Sequence, residues 1–107
     1  MRLPWPEPAV TALALRGEII QVDRFGNLVS NVTAGVFHAW RQGWDFRLKV
    51  GSLTLTRLRP TYGEAAAGEM LALICSHGYL EIACAGGSAA ARLQAGPGLP
   101  LEICRKG

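Results

Sequence analysis

An acid, an aromatic ring and a carboxamide lie close together in the segment 23–27, of sequence DRFGN. Asn27 presents a donor and an acceptor on one flat group, which suits recognition of an adenine edge. Phe25 or Tyr62 can supply a face on which a base stacks. The same residue types also favour a plain hairpin in which Asp23 and Asn27 hydrogen-bond their own turn. The residues by themselves leave both interpretations open.

A second cluster, Cys75-Ser76-His77-Gly78, contains a Ser-His pair. Neighbouring residues on a strand point to opposite faces, and the sequence shows no third group to orient the histidine, so nucleophilic catalysis is not favoured. The segment is more typical of a turn. Its hydroxyl, imidazole and backbone amides could hold a carboxylate.

Glu81 interrupts an apolar run between Leu80 and Ile82. An isolated carboxylate in a core is very costly, so an inward Glu81 would need a partner. The period-2 pattern of a strand also allows Glu81 to face outward together with Tyr79 and Ala83. The sequence does not decide between the two orientations.

Metal and cofactor chemistry find little support in the spacing. Cys75, Cys84 and Cys104 form an odd set with no CxxC pair, which favours neither a disulfide framework nor a zinc site. We expect them to be small buried hydrophobes in a reducing, cytoplasmic setting. His38 and His77 are far apart, and no phosphate-binding loop is present. We therefore expect neither a metal nor a cofactor.

Composition narrows the class of protein. The chain has 107 residues, of which 50% are hydrophobic and 18% are charged, as expected for one globular domain. No apolar run approaches the ~20 residues of a membrane-spanning helix. The net charge of +3 is mild, and the closest approach to a basic patch is Arg57 and Arg59 on one strand, so nucleic acid is not the expected partner.

The elements that must position these residues are mostly short strands. Residues 1–12 read as a Pro-rich linker or tail, and residues 13–107 as the folded domain. Segment 34–45 predicts a short helix or turn that buries Phe37, Trp40 and Trp44, and Ser88 is a good N-cap for a short helix over 89–94. About seven strands with one small helix predict an all-β barrel or sandwich. The strand-like runs are 19–22, 28–32, 46–50, 53–59, 70–75, 79–84 and 99–104.

Three motifs in register resemble one known family. Residues 17–32 (GEIIQVDRFGNLVSNV) are similar to "G-x-I-x-x-I-D-x-F-G-N-L-x-T-N-I". Residues 76–93 are similar to "S-x-G-x-L-E-I-A-x-N-x-G-S-A-A-x-x-L", and between the two lie Thr61-Tyr62, Gly68-Glu69 and Leu73. These motifs are those of the C-terminal barrel of the S-adenosylmethionine (SAM) hydroxide adenosyltransferases, the adenosine-forming SAM hydrolases. The SAM-dependent fluorinase and chlorinase are related to them.

The resemblance implies an all-β, closed or nearly closed Greek-key barrel of about seven strands. It implies an enzyme that cleaves SAM, as substrate, with water to adenosine and methionine. Family members form homotrimers, in which SAM lies between the N-terminal domain of one subunit and the C-terminal barrel of its neighbour. The partners so implied are SAM, or adenosine plus methionine, and an N-terminal catalytic domain.

The resemblance also assigns roles on the nucleoside side of the substrate. Asn27 would recognise the adenine edge, and the backbone at Gly86 would contact the same ring. Phe25 and Tyr62 would pack on or near adenine. Val29 would occupy a position that is Trp in the fluorinase.

On the amino-acid side of the substrate, the resemblance implies that Asp23 holds the methionine ammonium and Ser76 the carboxylate. His77 lies where the halogenase has an Arg. The family's Asn in "A-x-N-x-G-S" is Ala85 here, which could loosen the adenine pocket.

No residue of this chain matches the family's water-activating Asp, Arg and His, which lie in the N-terminal domain. We therefore expect a substrate-binding domain with no catalytic residue of its own, inactive alone. Two other functions remain open from the sequence: a small barrel that binds single-stranded nucleic acid, and a trimerisation module.

Overall fold

A computed structural model describes residues 8–60 and 65–105 of the chain. Short strands dominate these residues, and two helices interrupt them. In chain order the elements are β1 (Ala9–Val10), β2 (Ala14–Val22), β3 (Leu28–Thr33), α1 (Ala34–Arg41), β4 (Phe46–Val50), β5 (Leu53–Leu55), β6 (Met70–Ile74), β7 (Tyr79–Cys84), α2 (Ala89–Leu93) and β8 (Pro100–Arg105).

The strands form one strongly connected antiparallel sheet in the order β5-β4-β8-β2-β3-β7-β6, with β1 paired to β2. Past the end of β5, Leu58 makes a parallel bridge to Ala72 of β6, and Arg59 N donates to Ala72 O at 2.7 Å. This bridge brings the two ends of the sheet together. The fold is therefore a nearly closed seven-strand barrel, which confirms the predicted fold class, although it has two helices where one was expected.

Hydrophobic alternation explains the strands best at β4. Phe46, Leu48 and Val50 are buried, and the residues between them are exposed. The Gly51–Ser52 turn then returns the chain into β5, with Gly51 at φ 58°, a backbone conformation that a glycine adopts without steric cost. The sequence predicted both the strand and the turn, because period-2 burial and a glycine at the bend are local signals.

The strand predicted over 53–59 is regular only as far as Leu55. The strand predicted at 19–22 is the end of a longer one, because β2 begins at Ala14 and pairs with β8 along its first half. In the predicted linker over residues 1–12, Ala9–Val10 pairs with β2 as β1, and residues 1–7 lie outside the described part of the chain.

Helix α1 contributes two aromatic side chains to the core. Thr33 caps its first turn by accepting from Val36 N at 3.2 Å, and Phe37 and Trp40 are buried. The helix ends at Gln42, which has the left-handed φ of 49°. Trp44 therefore lies beyond the helix and is 51% exposed, so the prediction that it belongs to the buried stripe was wrong.

Cys75, Cys84 and Cys104 are all free thiols; Cys84 is buried and the other two are half-buried. Among the described residues, neither helix is long or apolar enough to cross a membrane.

The core position of Phe37 leads to a stability prediction. Its ring is fully buried and packs edge-on against Phe46, with ring centroids 5.1 Å apart. We expect Phe37→Ala to lower the free energy of unfolding by about 3–5 kcal/mol, because it removes a buried ring and leaves a cavity. Urea unfolding measures this loss.

Trp44→Ala serves as the control, since it removes a larger ring from the same segment at an exposed position. We expect it to change the free energy of unfolding by about 1 kcal/mol or less. Comparable losses in the two variants would contradict this account of the core.

Candidate substrate-binding site

The turn between β2 and β3 is closed by the carboxylate of Asp23. Oδ1 accepts hydrogen bonds from Phe25 N and Asn27 N, both at 2.9 Å, and Oδ2 accepts from Asn27 Nδ2 at 3.1 Å. The backbone adds Asp23 N to Asn27 O at 3.0 Å and Gly26 N to Asp23 O at 2.9 Å. The interpretation of segment 23–27 as a self-bonded turn thus matches its geometry.

Gly26 joins this turn to the start of α2. Its φ is +82°, and a Cβ built there would lie 2.0 Å from Ser88 Oγ. Gly26 O accepts from Ala90 N at 2.9 Å, and Ser88 Oγ caps α2 by accepting from Ala91 N at 3.1 Å. The predicted N-cap is confirmed, and a side chain at position 26 would push the turn and the helix apart.

A second turn, between β6 and β7, carries Ser76 and His77. Gly78 N donates to Cys75 O at 2.9 Å, and Gly78 has φ +85°, so the chain reverses tightly. Ser76 and His77 are exposed at its tip, and neither side chain makes a hydrogen bond to another described residue. The hydroxyl and imidazole are available to a ligand.

Strand register places the two turns at opposite ends of the β3–β7 pair. β3 and β7 are antiparallel, with Leu28 opposite Ile82 and Val29 opposite Glu81, and Leu73 of β6 lies on the other side of Glu81. The turn before β3 therefore lies beside the end of β7, and the turn before β7 lies beside the end of β3. A cleft of about 720 Å³ follows this strand pair and is bordered by both turns. Its lining includes six of the residues named from the sequence: Asp23, Phe25, Asn27, Val29, Ser76 and His77.

A second recess of about 690 Å³ adjoins the cleft and shares Phe25 and Asn27 with it. Its remaining walls are formed by small residues, including Ala85, Gly86 and Gly87. Gly86 is the seventh residue named from the sequence. It lines the second recess, whereas Ser76 and His77 line the first, and Asn27 lies at the junction. Tyr62, the eighth, lies outside the described residues.

Phe25 and Asn27 differ sharply in exposure at the junction of the two recesses. The Phe25 ring is 65% exposed, with the Arg24 guanidinium carbon 5.1 Å from its centroid. Asn27 is only 5% exposed, and its Oδ1 accepts no hydrogen bond from any described residue. The junction therefore offers an exposed ring next to an amide oxygen that the other described residues leave unbonded, a pairing that suits a flat heteroaromatic group.

Glu81 lines the cleft, although the sequence-based set of site residues did not include it. It faces outward from the barrel, as one of the two predicted orientations allowed, yet it is only 5% exposed. The sequence feature that could have identified Glu81 as a site residue is its position in an apolar strand near Tyr79, which also lines the cleft. Facing outward does not expose Glu81, because the neighbouring outward residues Leu73 and Ala83 are themselves buried.

Burial is the main reason that the pKa of Glu81 lies above its ordinary value of 4.5. The negative charge of Asp23 raises the pKa further, and a hydrogen bond from the Cys75 thiol acts in the opposite direction. Two carboxyl groups therefore face the same cleft closely enough to repel each other.

Ala65 packs against the outer face of β6 and β7, on Leu71, Leu73 and Ala83. Arg59 Nη1 pairs with Glu69 Oε2 at 2.6 Å, and Glu69 Oε1 accepts from Ala66 N at 3.0 Å. The Ala66 amide and the paired guanidinium together lower the pKa of Glu69. Arg59 is thus engaged, which leaves Arg57 as the freely exposed member of the basic pair noted in the sequence.

Within residues 8–60 and 65–105, no three His, Cys, Asp or Glu side chains are arranged to hold a metal ion. The polar groups of the cleft, carboxylates, a carboxamide, a hydroxyl and an imidazole, are suited to binding an organic ligand through hydrogen bonds and charge.

The family model described as the SAM hydroxide adenosyltransferase C-terminal domain matches residues 17–102. The chain belongs to this family. The match spans both turns, the cleft between them and α2, so the family resemblance seen in the three motifs is confirmed.

Solved structures agree with this relationship. An uncharacterized conserved protein from Thermotoga maritima is 32% identical over 96% of this chain, with a TM-score of 0.78. A conserved hypothetical protein from Thermus thermophilus is 29% identical over 82% of this chain, with a TM-score of 0.63. The chain spans 40% and 32% of the lengths of these two proteins, respectively.

The close contact between Gly26 and Ser88 joins the turn between β2 and β3 to α2, and a substitution at Gly26 tests this contact. We expect Gly26→Ala to lower the free energy of unfolding by about 2–4 kcal/mol, since it adds left-handed backbone strain to a clash with Ser88. Chemical denaturation measures the loss.

Gly86→Ala is the matched control, because Gly86 also has a positive φ of +72° but nothing lies within 4 Å of a Cβ built there. Its loss is expected to be about 1–2 kcal/mol, from strain alone. Equal losses in the two variants would show that the turn and α2 are not locked together.

Proposed function

We propose that this chain is the adenosine- and methionine-binding domain of a SAM hydrolase, an enzyme that converts SAM and water to adenosine and methionine. One observation carries the proposal: in a member of this family, the turns bearing Asp23 and Asn27 and bearing Ser76 and His77 border one cleft. A ligand with a base at one end and an amino acid at the other matches two adjoining recesses, one lined mostly by small residues and one by polar and ionisable groups.

The nucleoside end is assigned to the junction at Asn27. The carboxamide would present its Oδ1 to the exocyclic amine of adenine, while the exposed Phe25 ring packs on the base. The backbone at Gly86 would contact the same ring. Ala85 stands where the family motif has Asn, so the wall beyond the base carries one polar group fewer.

The amino-acid end is assigned to the cleft proper. Asp23 would attract the ammonium, and Ser76 at the tip of its turn would donate its hydroxyl to the carboxylate. His77 adds a second donor beside Ser76. Because the ammonium would lie at Asp23 and the carboxylate at Ser76, the two contacts would fix the orientation of the ligand in the cleft.

Displacement at the carbon attached to the sulfonium requires an oriented, activated water molecule. The polar groups of the described cleft serve to hold the ligand, so on this proposal the chain positions SAM and an N-terminal domain of the same family supplies water activation. Assembly with that domain, as a homotrimer, completes the cavity. The 107-residue chain alone then shows no turnover of SAM.

Calorimetric titration of the chain with adenosine, SAM and a single-stranded oligonucleotide at two salt concentrations tests the proposal. We expect adenosine and SAM to bind with little dependence on salt and the oligonucleotide not to bind, because Arg59 is paired with Glu69 and the net charge is only +3. Incubation with SAM alone is expected to produce no adenosine.

Two results would contradict the proposal. One is oligonucleotide binding that weakens steeply with salt, the behaviour of a nucleic-acid module. The other is absence of adenosine binding even when the N-terminal domain of a related protein is added, which would favour a trimerisation module.

Phe25→Ala tests the nucleoside end with little disturbance of the fold. The ring is 65% exposed, so we expect the free energy of unfolding to change by about 0.5 kcal/mol or less. Adenosine affinity is expected to fall by about 1–3 kcal/mol, since the stacking face is lost. Titration with adenosine gives the affinity, and thermal unfolding gives the stability.

Leu13→Ala is the control for that comparison, because Leu13 is 75% exposed and lines neither recess. It is expected to leave adenosine affinity unchanged. If Phe25→Ala also left it unchanged, the base would not lie at this junction.

A further inference from the structure

The hydrogen bonds of Asp23 limit what it can offer to a ligand. A carboxylate has about four acceptor positions on its two oxygens. Phe25 N and Asn27 N occupy two on Oδ1, and Asn27 Nδ2 occupies one on Oδ2. Asp23 therefore has about one position left, whereas an ammonium group has three donors to satisfy.

Glu81 has the acceptors that Asp23 lacks. It lines the same cleft and is 5% exposed, and among the described residues the Cys75 thiol, a weak donor, is the side chain that bonds to it. The described side chains thus leave most of its acceptor positions unfilled, inside a recess that shields Glu81 from water. A charge-assisted hydrogen bond is stronger in such a place than on an open surface.

Strand pairing holds Glu81 in place. Val29 of β3 and Leu73 of β6 flank it directly across the sheet, so its backbone is fixed on both sides. The titratable groups around the cleft are Asp23 from the first turn, Cys75 and His77 from the second turn, and Tyr79 of β7. No Lys or Arg lines the cleft in the described part of the chain, so Glu81 has no cationic partner there.

We propose that Glu81 is a second ligand-binding carboxylate, which shares the α-ammonium of the amino-acid moiety with Asp23 and thereby selects ligands that carry this cation. This inference rests on the proposed function and adds to it a residue that sets ligand charge specificity. A buried carboxylate without a cation beside it destabilises the free domain, and the incoming ammonium relieves that penalty. The cleft thus discriminates between an aminoacyl nucleoside and a neutral nucleoside.

Two unreactive ligands separate this role from binding of the nucleoside. S-adenosylhomocysteine carries the amino-acid moiety, whereas methylthioadenosine has the same base, ribose and thioether without it. NMR titration of the full chain measures both affinities. We expect Glu81→Gln to lower the affinity for S-adenosylhomocysteine about tenfold or more, and to leave the affinity for methylthioadenosine within about twofold.

Glu102→Gln is the matched control, a carboxylate on β8 that pairs with Arg16 at 2.7 Å and does not line the cleft. It is expected to change neither affinity. If Glu81→Gln lowered both affinities equally, or neither, the inference would be overturned while the proposed function stood. If the wild-type chain bound neither ligand, the proposed function itself would fail.

Stability against pH supplies a readout that a purely structural role would not give. The folded-state pKa of Glu81 lies above 4.5, so the folded chain holds its proton more tightly than the unfolded chain. Stability from this group is present at low pH and is lost as the pH rises through the folded pKa. We expect Glu81→Gln to raise the Tm near neutral pH, with the gain vanishing below pH 4.5.

The wild-type preference for S-adenosylhomocysteine over methylthioadenosine is likewise expected to increase with pH as Glu81 ionises, and to be flatter in Glu81→Gln. A Tm that falls in Glu81→Gln at neutral pH would instead show that the carboxylate supports the fold, which contradicts the inference.

Discussion

The antiparallel pairing of β3 with β7 is the constraint on which the rest of the structure depends. It sets Val29 opposite Glu81 and places the turn that precedes β3 and the turn that precedes β7 at opposite ends of the pair, with the cleft between them. A shift of one residue in this register would turn every side chain of one strand to the opposite face. Core packing prevents such a shift, because Leu28 and Ile82, which face each other in the same pairing, are both fully buried.

Asp23 shows how one group can serve both the fold and the site. Its carboxylate closes the turn through three hydrogen bonds, and the same carboxylate borders the cleft. The two interpretations of segment 23–27 are therefore compatible. Closing the turn fixes the position of Asn27 but uses most of the acceptors of Asp23, which directs attention to Glu81, a buried carboxylate that the fold itself does not satisfy with a cation.

Local signals in the sequence were sufficient for much of the fold. Alternation across Phe46–Val50, the Gly51–Ser52 turn and the Ser88 cap are all found where the sequence predicted them, since each depends on residues within a few positions of one another. Trp44 was misplaced because a left-handed residue, Gln42, ends α1 before the spacing of the aromatic residues can continue. The burial of the outer face of β6 and β7 was missed for a different reason: it depends on residues of several separate elements that pack together.

The sequence by itself determined the family, the all-β class and the identity of seven residues that line the two recesses, because motif spacing and period-2 burial are local properties of the chain. Only the tertiary structure decided that Glu81 faces outward and is nevertheless buried. Its environment is created by three paired strands and by the turn that carries Asp23. Burial, and with it the pKa of a carboxyl group, is a property of everything that packs around a residue, which no local pattern encodes.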